Sequence, residues 1–158
     1  MKRRGWIWIP LEAVLAIHDE QISEHGGIRG VRDLAIIDSA LARPRNLLVY
    51  GKPDAASLAA AYVIGLCGNH GFLDGNKRTA YVVAETFLDL NGYAMDAPDE
   101  AVVRTMFAVA AGVMREVKLA EWFRSHISID ISDLMPNNNR LLPKPTQLKR
   151  DLHTKSIQ

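Results

Sequence analysis

Residues 70–90 read HGFLDGNKRTAYVVAETFLDL, a polar turn followed by an amphipathic segment. In the second part, apolar residues return at steps of three and four, which is the periodicity of a helix with one buried face. Asn91 and Gly92 then supply a C-terminal stop. The first part puts a histidine, a carboxylate, an amide and two cations on one turn. The stretch predicts a central, mostly buried helix that begins at a polar loop.

The polar turn has the composition of a phosphate-handling site. Polyphosphates bind at helix N-termini, where backbone N–H groups point outwards, and they require cations and usually a carboxylate-bound metal ion. Gly75 allows the backbone to approach a phosphate closely. Lys77 and Arg78 supply positive charge, and both can reach one anion only at the tip of the helix. Asn76 is expected to cap the helix or to contact a phosphate, and the two roles are compatible.

His70 and Asp74 each allow a structural and a chemical interpretation. A histidine at the end of an apolar helix is often a core residue, but one beside a carboxylate and two cations is well suited to take a proton from an attacking hydroxyl. Asp74 is either the N-cap of the helix or a ligand of Mg²⁺, which is held by few carboxylates together with the substrate phosphates. We interpret His70 as a general base and Asp74 as the metal ligand.

A P-loop is the main competing phosphate motif, and it fails on spacing. Gly71 and Gly75 lie four residues apart, and the lysine follows an asparagine instead of a glycine. No serine or threonine comes directly after Lys77, where a P-loop has its magnesium-binding hydroxyl. The turn is therefore a different kind of phosphate site.

The composition is that of one globular domain. The chain has 158 residues, of which 48% are hydrophobic and 23% charged. Alanine is abundant and runs of β-branched residues are scarce, which predicts an all-α fold. Nineteen basic and eighteen acidic residues give a net charge of +1, so neither direct nucleic-acid binding nor membrane binding is predicted. The single cysteine, Cys67, cannot form an internal disulfide and favours a reducing, cytoplasmic location.

Helical periodicity, together with start and stop residues, predicts further helices on both sides of the motif. They are Pro10 to about Gly26, Asp33 to Arg43, Asp54 to about Asn69, about 98 to 111 and about 118 to 125. Pro44 is expected to end the second helix, because proline disfavours a helical conformation in the residue before it. Residues 6–9 and 93–96 are expected to form short extended pieces at most.

The last part of the chain differs from the rest. From about residue 129 the periodicity ends, and an Asn-Asn-Asn run is accompanied by three prolines and scattered basic residues. Such a segment buries too little apolar surface to fix one conformation. We therefore predict one domain at 1–128 and a flexible C-terminal tail at 129–158.

The segment HGFLDGNKRTA resembles the H-x-F-x-D-x-N-K-R signature of the death-on-curing (Doc) toxins, a branch of the Fic fold. The resemblance runs from about Trp8 to about Ser128. It also includes LEAVLAIHDEQISEHGGIRGVRD at 11–33, ALARP at 40–44 and FLDLNGY at 87–93. It implies a Fic/Doc helical bundle with a central motif helix preceded by the HxFxDGNKR loop.

The resemblance also implies an activity. AMP-transferring Fic enzymes have the pattern H-x-F-x-D/E-G-N-G-R, with a glycine where this chain has Lys77. In the Doc branch, the lysine is associated with transfer of the ATP γ-phosphate to a threonine of elongation factor Tu, which blocks translation. By this resemblance the chain is a protein Ser/Thr kinase toxin with His70 as base and Asp74 binding Mg²⁺. The phosphates of ATP would be held by Gly75, Asn76, Lys77 and Arg78.

The resemblance further implies a partner. Many Fic enzymes carry an inhibitory helix with a glutamate followed by glycine or asparagine, and no glutamate of this chain is followed by either. Doc toxins are instead restrained by a separate antitoxin of the Phd type. The basic loop at 26–33 borders the active site in related proteins, so Arg29 and Arg32 are candidates for docking the target; the alternative is a glycine-rich turn with solvated arginines.

Two other functions stay open on the residues alone. One is AMP or nucleotidyl transfer, which needs room beside Lys77. The other is a non-catalytic regulatory module that binds a partner or a nucleotide, although an intact set of His70, Asp74 and Arg78 speaks against it. The sequence identifies neither the target protein nor the antitoxin, and it does not fix the oligomeric state.

Overall fold

The computed structural model describes residues 5–132, and within this range the chain is helical apart from one two-stranded sheet. The helices are α1 (Leu11–His25), α2 (Leu34–Tyr50), α3 (Ala55–Gly68), α4 (Asn76–Leu90), α5 (Asp99–Ala110) and α6 (Glu116–His126). Strand β1 (Tyr93–Met95) pairs antiparallel with β2 (Ile127–Ile129). The all-α prediction is confirmed. None of the described helices has both the length and the apolar character needed to cross a lipid bilayer.

Helix α3 is the most buried helix of the bundle, and α2, α4, α5 and α6 all pack against it. Eleven of its fourteen residues are buried, so its surface is apolar on all sides. Many of them are alanines, whose small side chains let neighbouring helices come close. Leu58, Tyr62 and Leu66 are buried along its length, as the periodicity predicts. Because α3 ends directly before the polar turn, the best-packed helix of the fold carries His70.

Helix α4 follows the polar turn and buries its apolar face against α3. Val83, Phe87 and Leu88 are fully buried. The ring of Phe87 lies 5.9 Å from the rings of Trp6 and Trp8 in the segment before α1. The predicted central, mostly buried helix is confirmed, and its N-terminus is fixed by the core on which it rests.

The prediction that Pro44 ends the second helix is wrong. Helix α2 continues through Pro44 to Tyr50, and Pro44 itself is buried. An interior proline costs a helix about 3 kcal/mol, since it removes one hydrogen bond and clashes with the preceding turn. Leu47 lies beyond the proline and still packs on the core, so burial of this segment outweighs the local penalty. Of the two predicted extended pieces, 93–95 is a strand, whereas 6–9 has no strand in the described structure.

The short sheet brings the end of the described chain back to the end of α4. Tyr93 is paired with Ile129, and the backbone N–H of Asp130 donates to the carbonyl of Gly92 at 2.8 Å. The division of the chain at residue 128 stays a prediction. Most of the predicted tail, from residue 133 onwards, lies outside the described residues.

We expect Gly65→Ala to lower the free energy of unfolding by about 1–3 kcal/mol, because the added methyl group would press against Ala40 on α2. A Cβ atom on Gly65 would lie 3.0 Å from the Cβ and 3.1 Å from the Cα of Ala40. Gly68→Ala, on the same helix, is the matched control, since a Cβ there meets nothing within 4 Å. Urea titration of both variants tests this; an equal effect at Gly65 and Gly68 would contradict it.

A second prediction concerns the N-cap of α3. Asp54 accepts from the Ser57 N–H at 2.9 Å and from the Arg124 guanidinium at 2.7 and 3.1 Å. The bonds from Arg124 hold the pKa of this carboxyl well below its usual range. We expect Asp54→Asn to cost up to about 1 kcal/mol at neutral pH, because the pair is half exposed. Asp54→Ala should cost about 1 kcal/mol more, since it also removes the cap.

The pH dependence of this pair has a definite sign. A depressed folded-state pKa stabilises the fold above the unfolded pKa of about 4, and the effect is lost as the pH falls towards the folded value. The difference between the wild type and Asp54→Asn in urea titrations should therefore shrink below about pH 4. The exposed Asp38 provides the control, because Asp38→Asn should leave the free energy of unfolding unchanged in the same titrations. A difference that does not change with pH would refute the assignment.

Candidate active site

His70 is exposed, and its backbone lies in the left-handed region with φ 50°. Helix α3 ends at Gly68, and the chain turns sharply over the next two residues to enter the polar loop. Such a conformation costs a non-glycine residue about 1 kcal/mol or more, so it persists only where neighbouring contacts impose it. Because His70 is exposed, an external hydroxyl can reach it.

The glycine-rich loop between α1 and α2 runs beside the polar loop. Val31 and Phe72 form an antiparallel bridge. The backbone N–H groups of Arg32 and Asp33 donate to the carbonyl of Gly71 at 2.8 and 3.1 Å. These bonds join the segment 30–33 to the motif, so the loop predicted to border the site does lie along it.

His18 on α1 supports the motif loop from below, and sequence reasoning missed this role. Its ring is stacked on that of Phe72 at 3.8 Å with an interplanar angle of 7°. Its Nε2 donates to the carbonyl of Asp74 at 2.8 Å. Both His18 and Phe72 are buried. The available signal was a histidine at helical spacing on the apolar face of α1, but nothing local showed which loop it would meet.

The carboxylate of Asp74 is oriented by two backbone groups. Its Oδ2 accepts from the N–H of Ile28 at 3.1 Å, and its Oδ1 accepts from the N–H of Gly75 at 2.7 Å. These bonds, with a smaller contribution from Arg78 and Lys77, lower the pKa of Asp74. Asp74 is therefore ionised at neutral pH.

Helix α4 begins with free backbone donors. Gly75 occupies the N-cap position with φ 74°, and no side chain of the described residues caps the helix there. Asp74 thus precedes the cap and is directed towards the 26–33 loop. Within residues 5–132 no group of three potential ligands is placed to hold a metal ion. Any metal at this turn would be held by the single carboxylate and by a ligand that brings its own oxygens.

Asn76 fastens the loop to the start of α4. Its side-chain oxygen accepts from the N–H of Phe72 at 3.1 Å, and its side-chain amide donates to the carbonyl of Phe72 at 3.0 Å. The residue is 8% exposed. The prediction that Asn76 caps the helix is wrong, because its side chain is bonded to the backbone of Phe72 and Gly75 is the N-cap. Its contact with a phosphate stays a prediction.

Lys77 and Arg78 stand in the first turn of α4, where the helix dipole already disfavours positive charge. The Lys77 ammonium lies 5.1 Å above the centre of the Phe107 ring on α5. The Arg78 guanidinium donates to the carbonyl of Gly26 at 3.1 Å. Both side chains line one groove between α1, α4 and α5, whose other walls include Gln21, His25, Tyr81, Val82, Val102 and Met106. The two cations and the positive end of the helix repel one another, and a bound anion would offset this repulsion.

The two arginines proposed for target docking are engaged within the chain. Arg29 forms an ion pair with Asp19 and donates to the hydroxyl of Ser23 at 2.7 Å. Arg32 donates to two carbonyls of the motif loop. Arg29 is thus held against α1 and Arg32 against the loop itself. Their docking of a target stays a prediction.

Comparison with known proteins places this geometry in a family context. The sequence model of the Fic/DOC family matches residues 8–88, a range that contains α1 to α3, the polar loop and most of α4. The chain is similar to Toxin Doc of Mycolicibacterium smegmatis, with 45% identity over 75 residues, and this match spans 46% of the chain and 57% of the relative. It is also similar to Protein kinase doc of Escherichia phage P1, with 34% identity over 92 residues that span 57% of the chain and 73% of the relative. Since the family model matches just over half of the chain, including the polar loop, the chain belongs to the Fic/DOC family.

Proposed function

We propose that this chain is the toxin of a toxin–antitoxin system and that it transfers the γ-phosphate of ATP to a serine or threonine hydroxyl of a protein. The observation that carries the proposal is the start of α4, where an ionised carboxylate and two cations surround a helix end without a side-chain cap, directly after the exposed His70. The names of the two relatives, a toxin and a protein kinase, support it.

The site residues fit a magnesium–phosphate ligand. Each oxygen of Asp74 accepts one backbone N–H, and a carboxylate has about four lone-pair positions, so capacity for a metal ion is left. A bound Mg²⁺ would neutralise phosphate charge and help to orient the transferred group. The N–H groups of the first turn of α4 and the side chains of Lys77 and Arg78 would bind the phosphate oxygens.

The chemical step needs one base. His70 takes the proton from the target hydroxyl, and the hydroxyl oxygen forms a bond to the γ-phosphorus. The bond between the γ-phosphorus and the oxygen that bridges it to the β-phosphate breaks, and ADP leaves with that electron pair. The positive charges of Lys77 and Arg78 stabilise the negative charge that develops on ADP. His70 then releases its proton to solvent, and the target retains a phosphate ester.

The choice of the γ-phosphate is supported by Lys77. In the Fic pattern associated with AMP transfer, a glycine stands at this place, and a lysine side chain takes up space beside the phosphates. The proposed restraint is an antitoxin of the Phd type. Elongation factor Tu is the target that the Doc resemblance nominates first.

We expect purified protein with Mg²⁺ to label one band of a bacterial lysate from ATP carrying the label in the γ-phosphate, but not from ATP labelled in the α-phosphate. His70→Ala should lower the labelling rate by about 10²- to 10⁴-fold, since it removes the base. His126→Gln is the control: this histidine lies on α6, is bonded to the carbonyl of Trp122 at 2.7 Å, and should leave the rate unchanged.

Other outcomes of this experiment would contradict the proposal in different ways. Labelling from the α-phosphate would indicate AMP transfer. Full γ-labelling by His70→Ala would remove His70 as the base. If neither label is transferred to purified elongation factor Tu or to lysate, while the chain still binds an antitoxin, the regulatory module becomes the better description.

A further prediction concerns the carboxylate. A Cβ atom on Gly27, whose φ is +119°, would lie 2.6 Å from the Oδ2 of Asp74. Gly27→Ala should therefore displace Asp74 and raise the Mg²⁺ concentration needed for half-maximal labelling by about tenfold or more. Gly26→Ala is the matched control, since Gly26 also has a positive φ of +76° but a Cβ there meets nothing within 4 Å. Equal Mg²⁺ requirements in the two variants would disprove the effect on Asp74.

A further inference from the structure

We infer that Arg32 is a positioning residue: its guanidinium holds the backbone of residues 69 and 70 in the turn that directs the ring of His70 outwards. The inference rests on the proposed function of His70 as the base. It assigns to Arg32 a role within the site instead of the target contact expected from the sequence.

The contact has the form of a fork, in which the guanidinium of Arg32 binds the carbonyls of two consecutive residues. The Nε of Arg32 donates to the carbonyl of His70 at 2.6 Å, and its Nη2 donates to the carbonyl of Asn69 at 2.9 Å. Because the guanidinium is planar and rigid, two such bonds fix the orientation of both peptides relative to it. A charged donor also makes these bonds stronger than bonds between neutral groups.

The main chain of Arg32 is itself bonded to the motif loop. The backbone N–H of Arg32 donates to the carbonyl of Gly71 at 2.8 Å, and its neighbour Val31 forms the bridge with Phe72. The carbonyls of three consecutive motif residues, 69 to 71, therefore all accept from Arg32. The main-chain bond thus fixes the position from which the Arg32 side chain extends, and the guanidinium fixes the backbone turn at residues 69 and 70.

His70 needs such a constraint. Its φ of 50° is one that most residues avoid. In the described part of the chain, the ring of His70 has no hydrogen-bond partner to orient it. A catalytic base is usually held by a third group that bonds to its ring. Here the same result is reached through the backbone, since fixing φ and the neighbouring peptides limits the directions in which the side chain leaves the loop.

The test compares Arg32→Ala and Arg32→Lys with Arg104→Ala, a change at an exposed arginine on α5. In the γ-phosphate assay, Arg32→Ala should lower kcat about 10²-fold and change the KM for ATP by no more than about twofold, because orientation is lost and nucleotide binding is kept. Arg32→Lys should fall between the wild type and Arg32→Ala, since one ammonium cannot bind both carbonyls as the fork does. Arg104→Ala should match the wild type, and all variants should melt at similar temperatures.

A second readout does not depend on activity. In protein with ¹³C- and ¹⁵N-labelled histidine, the backbone and ring signals of His70, identified by their loss in His70→Ala, should move in Arg32→Ala. The signals of the other four histidines should stay in place. A role of Arg32 in target docking alone would leave the His70 signals unchanged.

The two readouts separate this inference from the proposed function. A wild-type kcat in Arg32→Ala overturns the inference while phosphate transfer stands, and so does a lowered kcat with unchanged His70 signals. If the wild type transfers no phosphate, the proposed function fails, and the His70 signals alone decide: a shift in Arg32→Ala supports the positioning role, and no shift refutes it.

Discussion

Burial of the apolar face of α4 against the core is the interaction that holds the candidate site in place. Two cations occupy the first turn of a helix whose dipole makes that end positive, at a cost of about 0.3–1 kcal/mol each. No acidic residue stands in this turn to offset them. The helix forms because Val83, Phe87 and Leu88 are fully buried farther along it. Packing in the core therefore sustains a helix end that is electrostatically unfavourable by itself.

The polar loop before α4 is shaped by close contacts with α1 and α2, and at Gly71 there is no space for a side chain. A Cβ on Gly71 would lie 2.5 Å from the Cγ1 of Ile37 on α2, so the motif backbone rests directly on that helix. On the other side, the Nε2 of His18 on α1 binds the carbonyl of Asp74. The positions of α1 and α2 are thus transmitted to the Asp74 carboxylate and to the loop that carries His70. This explains why a site on a loop can be held as firmly as the helices around it.

Local sequence signals were enough to predict most of the fold. Periodicity located the helices, and Asp33 and Asp54 accept the backbone N–H bonds expected of N-caps. Pro44 was misread because a local penalty was weighed without the burial that outweighs it. The roles of His18 and Arg32 could not be predicted, since each contact joins residues 37 or more positions apart in the chain. The motif indicated the residues of the candidate site, whereas the groups that orient them depend on how distant loops meet.

The glycine-rich loop contacts the motif and the start of α4 at several of its residues. Arg78 donates to the carbonyl of Gly26, Ile28 donates to the carboxylate of Asp74, the carbonyl of Gly30 accepts from Leu73, and Arg32 binds residues 69 to 71. Val31 also forms a bridge with Phe72, and the N–H of Asp33 also donates to the carbonyl of Gly71, so the segment 26–33 is attached to the motif along its whole length. A displacement of this segment would therefore disturb Arg78, Asp74 and the backbone of His70 together.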